Sequence, residues 1–196
     1  MEHPIKDFSH LIGKLDGMSV NQIEAHLGLY AGYVKKLNEI ETKLQNADRA
    51  LTNYSYGEYS ELKRREAVAF NGAYLHQYYF ENLTAETTTR SAELEGALVD
   101  SFGSIDAYLT DLKASATATP GWVVTTKSEV DGKLHNYMMF EHHIGFPVRQ
   151  KIVLALDCWE HAFMIDYGTK KNGLPGNLFA KRGLERDERT IEINRI

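Results

Sequence analysis

Asp157 and His161 stand four residues apart in "LDCWEHAFMIDYG", residues 156–168, beside Trp159 and Glu160. If a helix begins at 157, a carboxylate and an imidazole at that spacing point to one side and can share one metal ion. The same pair also fits an N-cap aspartate followed by a core or surface histidine. His26 and His76 bear on the choice. His26 lies on an apolar stripe with Tyr30 and Tyr33, and His76 sits between Ala73 and Phe80. One histidine on such a stripe is more often a hydrogen-bonded core residue than a ligand. Two on facing helices, with an Asp/His pair elsewhere, shift the balance. Three imidazoles and a carboxylate suit a redox-capable first-row metal, and such sets with an open position favour non-haem iron. Structural zinc usually recruits cysteines, and Cys158 is the only one here. The helical His-Glu-x-x-His motif of zinc hydrolases is absent. Di-metal carboxylate bundles need Glu three residues before the ligand His, where this chain has Ile23 and Ala73. "FEHHIGFP", residues 140–147, adds His142 and His143. It reads either as a polar loop or as a source of a hydrogen bond to solvent on the metal.

These side chains must be positioned by a chain of 196 residues, 43% hydrophobic and 25% charged, long enough to bury a core. Its net charge of −5 gives no electrostatic reason to expect nucleic acid as a partner. An anionic substrate would need a local positive charge, which a bound metal could supply. A lone cysteine excludes an internal disulfide framework. The first residues lack a basic region followed by an apolar run, and no apolar stretch is long enough to span a membrane. A cytoplasmic protein without a membrane partner is the expectation.

Ser19 and Gln22 read as a capping box opening a long helix over 19–47. Ile23, Leu27, Tyr30, Val34, Leu37, Ile40 and Leu44 recur at three- and four-residue steps along it. A second helix spans 58–83, with Leu62, Ala69, Ala73, Phe80 and Leu83 inward, and the two suggest an antiparallel pair. "TAETTTRS" at 84–91 breaks the pattern, giving a helical-hairpin domain over 1–86 and an α+β domain over 87–196, with the site between them. Two shorter helices near 92–101 and 104–116 precede three strands, "WVVTTKSEV", "KLHNYMMFE" and "KIVLALD". "VDGK" is a hairpin turn between the first two, and "CWEHAFMIDYG" reads as a final helix. The fold class is α+β, with a three-stranded antiparallel sheet flanked by helices.

Several stretches resemble the iron/manganese superoxide dismutases. "DCWEHAFMIDY" resembles their D-x-W-E-H-A-[FY] signature, "FNGAYLHQYYFENL" their second-helix motif, and "HLGLYAGYVKKLN" their first-helix motif. "SFGSIDAY" and "GWVV" are similar to later landmarks in the same order, so the likeness covers roughly 19 to 170. The resemblance implies conversion of superoxide to oxygen and hydrogen peroxide by a homodimer or tetramer, with one iron ion per subunit, or manganese. It implies His26, His76, Asp157 and His161 as metal ligands and Tyr33 at the substrate funnel. Trp122 and Trp159 would wall the site, and Glu160 would cross to a partner's His161. Gly72 falls where some iron enzymes hold a glutamine. In relatives with glycine there, a Gln or His on the later loop takes its place, and His142 matches that role and favours iron. The chain departs from the family pattern in three places. His26 to Tyr33 spans seven residues where eight is usual, Met164 stands where a Tyr is expected, and the end "LPGNLFAKRGLERDERTIEINRI" looks unlike the family's final helix. The first two departures motivate an alternative, a non-catalytic metal-binding or interaction protein on the same scaffold.

Overall fold

A computed structural model describes residues 2–84 and 90–169. The first long helix, α1, runs Val20–Asn46, and the second, α2, runs Glu58–Glu81. His26 packs against Phe80, and Tyr33 against Gly72, so the helices run antiparallel. The apolar stripe read from the sequence is the buried stripe: Ile23, Tyr30, Val34, Leu37, Ile40 and Leu44 all face inward on α1. Residues 2–18 form no long element, yet Phe8, Leu11, Leu15 and Met18 are buried against the hairpin. His3 fixes this segment: Nδ1 meets the Tyr74 hydroxyl at 2.7 Å, Nε2 meets Glu41 at 3.0 Å, and Asn38 brackets its backbone.

Two shorter helices follow, α3 at Ala92–Phe102 and α4 at Ile105–Ala118, each opened by a serine whose hydroxyl accepts a backbone N–H. Three strands come next: β1 Trp122–Ser128, β2 Leu134–Met139 and β3 Gln150–Asp157, in the antiparallel order β2-β1-β3. Gly132, at φ +74°, supplies the left-handed residue the β1–β2 turn requires. Alternation along the strands divides the interior in two. Trp122, Val124 and Ala155 face the α1–α2 hairpin, while Val123, Leu154 and Leu156 face α3 and α4.

Two expectations need correction, and two fall outside the described residues. The stretch after β3 is not one helix. Asp157 ends the strand, a three-residue 3-10 turn covers Glu160–Ala162, and α5 is only Met164–Tyr167. The cause is local: Asp157 Oδ1 accepts from the Trp159 N–H at 2.9 Å, and Trp159 stays extended at φ −66°, ψ 155°, so no helix can start at 157. The capping box is half formed, since Gln22 N–H donates to Ser19 Oγ at 3.1 Å but the Gln22 side chain points elsewhere. The boundary near 86 and the chain from 170 onward lie outside the described residues.

Candidate metal centre

Each element delivers one donor to a point between the hairpin and the sheet. His26 comes from α1 and His76 from α2. Ala155 points from β3 toward the hairpin, so two residues on Asp157 does too, and its Cα pairs with Trp122 at the sheet's end. The 3-10 turn then brings His161 back over the same carboxylate. Nε2 of His26 and of His161 each lie 3.0 Å from Asp157 Oδ2, and Nε2 of His76 lies 3.4 Å from it. The four donor atoms all fall within 4.8 Å of one another. The side chains of His26, His76 and Asp157 are fully buried, and that of His161 is 29% exposed.

The protonation pattern makes this arrangement costly as it stands. His76 Nδ1 donates to the Gly72 carbonyl at 2.5 Å. Burial pushes the imidazole down to about 3, against the charge of Asp157, so at neutral pH it is neutral with its lone pair on Nε2. That lone pair faces Asp157 Oδ2, itself an acceptor, and His161 Nε2 at 3.4 Å. Burial alone would raise the Asp157 carboxyl. Hydrogen bonds and charge from His161 and His26 outweigh it, so the carboxyl is held well below the usual range. The His76 lone pair, aimed at a buried carboxylate oxygen, is repelled unless a cation lies between them. Donors shared by one ion bonded at about 2.0–2.2 Å sit roughly 3–4 Å apart, as the three imidazole nitrogens do from Asp157 Oδ2 and as His76 does from His161. The donor set therefore fits a first-row metal ion.

A hydrogen-bonded chain flanks this cluster. Trp122 Nε1 donates to His142 Nδ1 at 2.9 Å, and His142 Nε2 meets the Tyr33 hydroxyl at 2.6 Å. An indole N–H can only donate, so Nδ1 is an acceptor and the neutral ring carries its proton on Nε2. Nε2 then donates to Tyr33 Oη, and the Tyr33 proton is left to point elsewhere. Both groups stay in these states at neutral pH. Burial lowers the His142 ring against the pull of Asp157, while burial and the Asp157 charge raise the Tyr33 hydroxyl. Tyr33 stacks on His76 with ring centres 5.3 Å apart, and Asn71 on α2 holds the loop by donating to the His142 carbonyl at 2.7 Å.

The structure thus brings together His26, His76, Asp157, His161, Tyr33, His142, Trp122 and Trp159. Trp159 lies 5.8 Å from His142 and is stacked on His161 at 6.3 Å, centre to centre. Glu160 stands apart on the surface, as does His143. Gln22 and Asn71 were missed. The Ser19–Gln22 spacing accounts for Gln22 as a helix cap, and nothing in the spacing of Asn71 marks it.

A family model described as iron/manganese superoxide dismutases, C-terminal domain, matches residues 90–178. A protein of Aquifex pyrophilus named superoxide dismutase [Fe] is 35% identical over 175 residues, covering 86% of this chain and 82% of its own length. One of Cupriavidus metallidurans with the same name is 35% identical over 165 residues, 80% of each chain. A protein of Mycobacterium kansasii named superoxide dismutase [Mn] is 31% identical over 151 residues, 74% of this chain and 90% of its own. With its four donors on α1, α2, β3 and the turn beyond, the chain belongs to the iron/manganese superoxide dismutase family.

Proposed function

We propose that the protein is a superoxide dismutase, with iron (or manganese) held by His26, His76, Asp157 and His161. The observation that carries this reading is the convergence of three imidazole nitrogens on Asp157 Oδ2, with the His76 lone pair aimed at it. Two superoxide radicals and two protons give one oxygen molecule and one hydrogen peroxide. When bound, the metal ion supplies the one-electron couple that lets the two superoxides react in turn, and its charge attracts the anion to a chain of net charge −5.

The protein's own residues govern orientation and protons. Gly72 fixes the His76 ring by accepting from Nδ1, which keeps Nε2 available as a ligand atom. Trp122 fixes the tautomer of His142, and His142 fixes Tyr33 as an acceptor toward the loop. The Tyr33 hydroxyl then has one proton to offer into the site, where reduced superoxide needs it. The sequence leaves His142 as either a polar-loop residue or a direct hydrogen-bond partner of solvent on the metal. With both its nitrogens taken by side chains, His142 acts through Tyr33 instead.

No helix among the described residues is long and apolar enough to cross a membrane. A single cysteine suits a reducing compartment, and we assign the protein to the cytoplasm. The assembly is a homodimer or tetramer in which Glu160, exposed beside His161, pairs with His161 of a second copy. The test is elemental analysis of the purified protein with a parallel superoxide assay, on wild type and on His76→Ala. Wild type should contain about one iron or manganese per chain and be active, and His76→Ala should lose both. Full metal and activity in His76→Ala would refute the ligand set. A metal-loaded but inactive wild type would favour the non-catalytic alternative.

A further inference from the structure

Gln22 is completely buried, at 0% exposure, and the donor set does not include it. A primary amide in that position is costly unless both its ends find partners. Both partners lie on one distant stretch. Nε2 donates to the His161 carbonyl at 2.5 Å, and Oε1 accepts from the Ile165 N–H at 3.1 Å. One of these bonds meets the turn at His161 itself, and the other meets α5 just beyond it. Two more brace the same joint: Ser19 N–H donates to Asp166 Oδ2 at 2.8 Å, and the Tyr167 hydroxyl donates to the Gly17 carbonyl at 2.6 Å. The reciprocal bond of the capping box is thus exchanged for a long-range one. Asp166 takes the Ser19 N–H, and Gln22 is released to hold the turn.

His161 is the donor that needs holding. His26 and His76 sit within long helices, and Asp157 is fixed by the β1–β3 ladder. His161 sits in a three-residue 3-10 turn closed by two backbone bonds, Ala162 N–H to Trp159 and Phe163 N–H to Glu160. So short a turn has little rigidity of its own. Binding its carbonyl fixes the peptide plane from which the ring projects.

We propose that Gln22 is a positioning residue of the metal centre, its side-chain amide clamping the His161–Ile165 turn to the start of α1 and so setting how tightly His161 grips the ion. The proposal rests on the metal reading above. Gln22 lies four residues before His26, so one helical turn supplies one ligand directly and steadies another.

The test compares wild type with Gln22→Leu, which removes both polar ends, and Gln22→Glu, which keeps the acceptor for Ile165 but loses the donor to His161. Three quantities are measured: transfer of bound metal to a competing chelator, the d–d absorption of the cobalt(II)-loaded protein, and thermal unfolding of the metal-free protein. Loss of an outer hydrogen bond to a metal ligand typically weakens binding by about 10- to 100-fold, and both variants should show that loss with an altered cobalt spectrum. If Gln22→Leu fails to fold, Gln22→Glu carries the same test. A lowered unfolding temperature with unchanged metal transfer and spectrum would mean the amide is only structural, and would overturn the proposal. A wild type that takes up no metal would overturn the metal reading itself, a result distinct from any difference between variants.

Discussion

Replacing Gly72 by alanine should destabilise this protein, although the same change inside a helix ordinarily gains about 1 kcal/mol. A Cβ on residue 72 would lie 2.4 Å from Tyr33 Cδ1, 2.7 Å from Cε1 and 2.8 Å from Cγ. Carbon atoms settle at roughly 3.5–4.0 Å, so the ring must retreat by about 1 Å. It has little freedom to do so, being stacked on His76 at 5.3 Å and edge-on to His142 at 4.8 Å. Its hydroxyl sits 2.6 Å from His142 Nε2, and a shift of about 1 Å takes that contact beyond hydrogen-bond length. Overpacking costs about 1–3 kcal/mol and the lost bond about 1 kcal/mol. After the helix gain of about 1 kcal/mol, the net loss is roughly 1–3 kcal/mol. Gly32 in α1 and Gly96 in α3 are controls, because a Cβ there would meet nothing within 4 Å. Alanine at either should stabilise by up to about 1 kcal/mol. The assay is urea unfolding of the metal-free variants, comparing midpoints at constant slope. If Gly72→Ala moved the midpoint upward with the two controls, the fit of Tyr33 against α2 would not be the constraint argued here.

Tyr33→Phe should leave metal content unchanged and lower turnover, most of all in the proton-dependent step, because it removes the hydroxyl that His142 orients. Pulse radiolysis of the loaded variant checks this, and loss of metal would count against a role at the site's mouth. Acid should unfold the metal-free protein earlier than the loaded one. His76 is held down at about 3 when folded against 6.5 when unfolded. The unfolded chain therefore takes up the proton first, and stability falls as pH drops from about 6.5 toward 3. Asp157, also held low, adds to the loss in the same direction below its ordinary range. A bound ion occupies the same lone pairs and must be displaced before they protonate. Circular dichroism across pH 7 to 3, on metal-free and loaded samples, should give separate midpoints. Coincident midpoints would contradict the ligand assignment.

The hairpin was legible because its buried faces repeat over many turns, so that Ile23 through Leu44 outvoted any local exception. The strands were legible from β-branched and aromatic runs around one unambiguous turn at Gly132. Residues 157–168 were misread because a spacing of four brings side chains together on a helix and, as here, across a strand end and a 3-10 turn. Backbone hydrogen bonds separate the two cases, above all the one Asp157 accepts from Trp159. Gln22 was misread for a related reason. A capping pattern states which local bond is available, whereas burial against residues more than a hundred positions away decides which bond forms. Docking of residues 2–18 through His3 had no local signal at all.

The seven-residue interval from His26 to Tyr33 and the glycine at 72 are sterically coupled. At 100° per residue, seven steps fall about 20° short of two full turns and advance about 10.5 Å, so both side chains leave the same face of an uninterrupted helix. α1 is such a helix from Val20 to Asn46. On that face the Tyr33 ring lies against α2 where a side chain at 72 would project, and even one methyl group there is excluded. A glutamine at 72 and a tyrosine at 33 in this pose therefore compete for one volume. With the tyrosine occupying it, the polar partner has to come from another direction. The 140–147 loop provides it as His142, held at its backbone by Asn71 and at Nδ1 by Trp122. Inserting one residue into the interval should turn Tyr33 by about 100° away from His142, and it would relieve the steric demand for glycine at 72 while leaving His142 without its hydroxyl partner.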